Sequence, residues 1–150
     1  MVTKERCERF MNAGIFEEAL KIKTEVENKA TIMRKTPKIR DYPACICSAT
    51  SLRSYPIIAT EISRRMKKDV VTDIMRKAFE LKLGGEVGEI SPITGLQFPI
   101  GQCAEQHAAN SIIRDLPQRE TDIIFSTCLR PRTMGIQAAC LKCLTVFPQL

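Results

Sequence analysis

Two short cysteine motifs constrain this chain more than any other feature: Cys103-Ala104-Glu105, and further on Cys140-Leu141-Lys142-Cys143. Cys140 and Cys143 are spaced i, i+3, so on a helix their thiols project from one face about a turn apart. Cys103 stands where a second periodic stretch begins, with Ala104, Ala108, Ile112 and Ile113 marking the apolar side of a helix that ends near Leu116-Pro117. The three thiols can share one point in space only if the starts of these two helices converge. A fold that does this carries each helix behind an extended segment, and the surrounding sequence offers such segments.

Glu86–Ile90 and Leu96–Ile100, joined by the turn Ser91-Pro92-Ile93-Thr94-Gly95, read as a β-hairpin with Val87 facing inward. The run 122–129 is apolar and rich in strand formers, and Arg130-Pro131-Arg132-Thr133 is a loop. A helix from about Ala138 carries Cys140 and Cys143, and Thr145-Val146-Phe147 reads as a short last strand. The order is β-β-α-β-α, with a further β.

Upstream, residues 3–34 read as helical, with Asn12-Ala13-Gly14 turning the chain between two periodic stretches. Ile15, Ala19, Ile22 and Val26 recur at helical spacing. Residues 36–56, with Pro37, Pro43, Pro56 and three serines, read as a linker. Cys45-Ile46-Cys47 inside it has poor spacing for a shared metal. Residues 57–83 read as a helix whose stripe is Ile58, Ile62, Met66, Val70, Ile74 and Leu81, stopped by Gly84-Gly85. These readings divide the chain into a helical extension with its linker, 1–56, and a domain, 57–150.

Composition narrows the classes. The charged N-terminus lacks the apolar run of a secretory leader, and no stretch approaches the length of a membrane span. The expectation is therefore a cytoplasmic chain, or one delivered into a target cell, with no membrane partner. Seven cysteines with no leader imply reduced thiols. The net charge of +6 is uneven: residues 1–85 carry 18 Lys+Arg against 11 Asp+Glu, and residues 86–150 carry 5 against 6. The basic half, with Arg64, Arg65, Lys67 and Lys68 at its densest point, can hold an anionic polymer such as DNA or RNA, or simply form a solvated face.

Three thiols are a zinc ligand set that leaves a fourth position open to water. Glu105, one residue beyond Ala104, is then placed to move protons beside the metal without ligating it. Two other readings stand beside this one. A fourth ligand from Cys128 or His107 would close the site into a structural zinc clip, and cysteines alone can be small buried hydrophobes. His107, the only histidine, is either a substrate contact or a packed side chain, and Asn110 is expected to hydrogen-bond or pack its helix.

In these residues the chain resembles the zinc-dependent cytidine deaminase-like superfamily, over about Gly84 to Val146. There a [HC]-[AV]-E segment and a P-C-x-x-C segment each open a helix behind a sheet. The likeness is to bacterial toxin and effector deaminases in particular, including the YwqJ-like group, which share the short hairpin, the C-A-E helix and an Arg-Pro-Arg-Thr-Gly-like loop. The resemblance implies an α/β three-layer fold with a small sheet flanked by helices, plus a helical N-terminal extension. It also implies Cys103, Cys140 and Cys143 as zinc ligands and Glu105 as the proton shuttle. The expected activity is hydrolytic deamination of a nucleobase in nucleic acid, cytosine before adenine, with an immunity protein or delivery partner as a further associate. A free nucleoside or nucleotide deaminase, and a zinc module without activity, are the alternatives.

Ala139 replaces the usual proline. The family's sheet continues beyond the C-x-x-C helix, whereas seven residues follow Cys143 here, which implies a minimal domain or a sheet completed by another chain. Free-nucleoside deaminases carry an Asn-x-Glu segment where Glu86-Val87-Gly88-Glu89-Ile90 lacks asparagine, which favours a polymeric substrate.

Overall fold

The computed structural model describes residues 1–95 and 98–150. It is an α/β structure of four helices and a small antiparallel sheet: α1 (Lys4–Ile32), β1 (Ile46–Thr50), β2 (Ala59–Ile62), α2 (Asp73–Leu83), α3 (Ala104–Asp115), β3 (Ile124–Phe125), β4 (Cys128–Leu129), β5 (Ile136–Gln137) and α4 (Leu141–Val146). The sheet order is β2-β1-β4-β5, with β3 also pairing β1. Every pairing is antiparallel.

β1 is the organising strand. All five of its residues are buried, and they alternate between two helical layers. Cys47 and Ala49 join the main core with α2, α3 and α4, while Ile46 packs with Ile15 and Ala19 of α1 and with Leu129. Helices thus cover both faces of the sheet, α1 on one side and α2, α3 and α4 on the other. This strand lies inside the stretch read as a linker. A strand buried on both faces shows no apolar/polar alternation, and Cys, Ser, Ala and Thr give it none of the branched-residue signal of a typical central strand.

Residues 57–83 depart most from expectation. Ala59–Ile62 is strand β2, paired with β1 from Ile46↔Ile62 to Ala49↔Ala59. The chain then runs irregularly, and the helix begins only at Asp73, capped by the Thr72 side chain. The supposed stripe does not hold together: Met66 is buried, but Leu81 is 82% exposed. The real core face of α2 is Met75, Ala78, Phe79 and Leu83. Gly84 ends the helix in the left-handed region at φ 72°, as the glycine pair suggested.

α1 is one continuous helix with no turn at residues 12–14. Its buried stripe, Cys7, Met11, Ile15 and Ala19, repeats every four residues. Asn12 Oδ1 accepts hydrogen bonds from Thr127 N (2.8 Å) and Thr127 Oγ1 (3.3 Å), fastening the helix to the sheet.

Neither arm of the expected hairpin at 86–100 is a strand among the described residues. Its arms are tied by Gly88 N donating to Ile100 O (3.0 Å) and Ile100 N donating to Glu89 O (2.8 Å), with Val87 buried as expected. Leu96 and Gln97 of the expected return strand lie outside the described residues. The apolar run at 122–129 forms β3 and β4, broken at Ser126-Thr127. Thr145 and Val146 belong to α4, so no strand follows it.

Candidate metal centre

Both cysteine motifs open helices as the sequence implied: Cys103 is the N-cap residue of α3 and Cys140 that of α4. The approach to Cys103 is built around Gly101, at φ +89°, where an added Cβ would stand 3.0 Å from Met66 Cβ and 3.1 Å from Val87. A side chain there would displace the segment that delivers the first thiol. Gly101 N donates to Gln106 Oε1 (2.7 Å), so the start of α3 also holds its own approach loop.

The helix starts converge. The sulfurs of Cys103, Cys140 and Cys143 lie within 4.8 Å of one another, the one grouping of metal-sized spacing among the described residues. Cys103 Sγ and Cys140 Sγ are 3.3 Å apart. Tetrahedral zinc–thiolate bonds of ~2.3 Å separate sulfurs by ~3.8 Å, so this pair would open by about half an ångström to take an ion. Three sulfurs are a soft donor set that suits zinc. Without the ion, the Cys140 thiol is pushed well below the ordinary thiol range, because the thiols of Cys103 and then Cys143 hydrogen-bond to its thiolate. The Cys103 thiol is raised by its contact with Cys140, and the Cys143 thiol by its contacts with Cys103 and then Cys140.

Neither proposed fourth ligand joins the group. Cys128 is buried on β4 in the main core, and the Ile46↔Leu129 register sets it opposite Cys47. Hydrogen bonding toward Cys45 and then Cys47 raises its pKa. The Cys45/Cys47 pair is likewise core. His107 Nε2 donates to the Arg64 carbonyl at 2.6 Å. Asn110 does the same kind of work, with Nδ2 donating to Val70 O (2.9 Å) and Oδ1 accepting from Thr72 N (2.8 Å). Polar side chains of α3 therefore clamp the irregular segment 63–72.

Glu105 stands at the edge of the sulfur group and is 4% exposed. Burial pushes its carboxyl above the usual carboxylate range. Its backbone N–H and the Cys128 thiol partly oppose that rise. It lines a cleft of about 450 Å³ bounded by α1 (Lys4, Glu8, Asn12), by 123–128, by 136–139 and by Gln149 and Leu150. A buried carboxyl facing an open cleft beside three thiols is equipped to exchange protons with a molecule held there.

Arg64, Arg65, Lys67 and Lys68 are exposed, on irregular chain rather than a helix, pinned by buried Met66. Arg64 pairs with Glu61 at 2.9 Å, and Lys68 is 3.9 Å from Glu86. None of the four lines the Glu105 cleft.

One neighbour of the sulfurs carries no signal of its own in the sequence. Gln106 Nε2 donates to Cys143 Sγ (3.6 Å). It occupies an unspecified position, the residue after Glu105, which is a place to look for groups that touch the cysteines. Lys142, between the paired cysteines, is wholly buried with its Nζ 5.7 Å from the centre of the Phe98 ring. No helix among the described residues is long and apolar enough to cross a membrane. Comparison with protein-family models, with curated proteins and with solved structures found no match.

Proposed function

We propose that the chain is a zinc-dependent hydrolytic deaminase that acts on a nucleobase, cytosine in preference to adenine, within nucleic acid, in the setting of a bacterial toxin or effector. The observation that carries this reading is the grouping of the Cys103, Cys140 and Cys143 sulfurs, together with a buried Glu105 that feels Cys140 and Cys143 and lines a cleft. Bound there, zinc would supply Lewis acidity that activates water at neutral pH.

The chain's own residues do the rest. Glu105 takes a proton from a water in the site on a carboxylate oxygen and gives it to the ring nitrogen; it then takes the proton of the hydroxyl added to the ring carbon and gives it to the amino group, which leaves as ammonia as the C–N bond breaks and the carbonyl forms. Burial raises the Glu105 carboxyl above the usual carboxylate range, which makes it a stronger base for the proton it takes up. The apolar walls, Ile123, Phe125 and Ala139, suit the faces of a flat base. The exposed basic segment 64–68 supports a polymeric substrate, with its phosphates bound outside the cleft.

Sequencing the genomes of cells that express the chain tests this directly. We expect base changes at C·G pairs, reduced ~10²- to 10⁴-fold by Glu105→Ala, while that variant keeps the metal measured by elemental analysis. An unreduced spectrum in Glu105→Ala removes the mechanism. Absence of base changes together with ammonia release from cytidine assigns the site to a free nucleoside. Zinc uptake with no turnover of DNA, RNA or cytidine leaves a metal-binding interaction module.

A further inference from the structure

Gln106 is the third residue of α3 and is wholly buried. Its amide is occupied at both ends: Oε1 accepts from Gly101 N (2.7 Å), and Nε2 donates to Cys143 Sγ (3.6 Å). A backbone N–H can only donate, so the Gly101 contact settles which end of the amide is oxygen and turns the NH₂ group to the sulfur. Burying an amide costs stability unless its hydrogen bonds are met, and a methionine would fill a similar space without that cost. What the glutamine adds is this pair of contacts.

The two contacts reach different parts of the sulfur group. Gly101 stands two residues before Cys103, in the loop that carries the first thiol. Cys143 belongs to α4 and is itself wholly buried. The backbone of Gln106 adds a third tie, its N–H donating to Cys103 O (3.1 Å). One residue thus holds the segment that delivers the first sulfur and touches the last sulfur directly. A thiolate that binds a metal keeps further lone pairs, and an N–H aimed at one of them orients the sulfur toward the ion. That hydrogen bond strengthens when the sulfur carries charge.

We infer that Gln106 is a positioning residue that braces the metal-binding thiols: its oxygen holds the loop that carries Cys103, and its N–H group holds the Cys143 sulfur. This rests on reading the three cysteines as metal ligands and requires no catalytic step. Gln106 does not line the Glu105 cleft, so it acts through the cysteines rather than on a molecule held there.

The test measures Zn²⁺ affinity by competition with a chromophoric chelator for wild type, Gln106→Met and Gln106→Glu. Thermal unfolding of each metal-free protein and the absorption spectrum of each Co²⁺-loaded protein accompany it. Gln106→Met removes both contacts and should bind zinc ~10- to 100-fold more weakly, the range of other groups that support metal ligands. Gln106→Glu keeps an oxygen for the Gly101 N–H but sets a second oxygen against the sulfur, and should lose at least as much affinity. The sulfur-to-cobalt charge-transfer band should move to longer wavelength in Gln106→Met, because a thiolate that loses an N–H donor gives up its electrons more easily. Unchanged zinc affinity in Gln106→Met overturns the inference. So does a Gln106→Glu protein that binds zinc as tightly as wild type, since the loop contact alone would then account for the residue. A Gln106→Met protein that unfolds at a lower temperature but leaves the cobalt band in place assigns the residue to packing and overturns it as well. If wild type takes up neither zinc nor cobalt, the reading of the cysteines fails first and this inference falls with it.

Discussion

His107 Nε2 donates to the Arg64 carbonyl. Burial is the largest influence on its pKa and lowers it below the ordinary 6.5, with that hydrogen bond partly opposing the fall. The unfolded chain therefore binds a proton more readily than the folded one. The stability this histidine contributes is complete above pH 6.5 and is lost as pH falls through that value toward its folded pKa. His107→Gln preserves a donor for the carbonyl but does not titrate. The unfolding midpoint of the metal-free wild-type protein should drop more steeply below pH 6.5 than that of His107→Gln. Parallel profiles would show that the ring stays outside the linkage. Glu105, two residues earlier on the same helix, turns to the cleft instead, so the motif's two titratable side chains divide between scaffold and site.

The elements differ in how much of themselves the sequence reveals. α1 announces itself through Cys7, Met11, Ile15 and Ala19, yet Asn12-Ala13-Gly14 imitates a break. Gly14 is exposed in mid-helix, with open space where a Cβ would stand. Gly14→Ala should therefore stabilise by ~0.5–1 kcal/mol, raising Tm by roughly 1–4 °C; an unchanged or lower Tm would show that residues 12–14 need a freedom the continuous helix does not display. α3 and α4 were legible because their starts coincide with the cysteine motifs. β1 and β2 were hidden for opposite reasons. β1 is buried on both faces and lacks a period, whereas Ile58, Ile62 and Met66 fall by coincidence at helical spacing in a segment whose conformation is dictated by pairing with β1. The three cysteines that the structure brings together could be read from spacing alone. The contact of Gln106 with Cys143 could not, because it depends on which way the two helices face each other.

Across the whole molecule, the basic segment and the cleft are separate features. Arg64, Arg65, Lys67 and Lys68 project from chain that α3 clamps in place, so their placement is set even though it is irregular. Replacing all four with glutamate should weaken binding to single-stranded DNA and RNA. It should also flatten the salt dependence by ~0.7 in log–log slope for each phosphate that is no longer neutralised. Binding that keeps both its strength and its slope would return these residues to the solvated surface.

The cleft itself has one geometric property with practical weight. Lys4 and Glu8 of α1 and Gln149 and Leu150 beyond α4 border the same opening that leads to Glu105. A molecule that bridges α1 and the segment after α4 would therefore stand across the doorway to the carboxyl without touching a single sulfur.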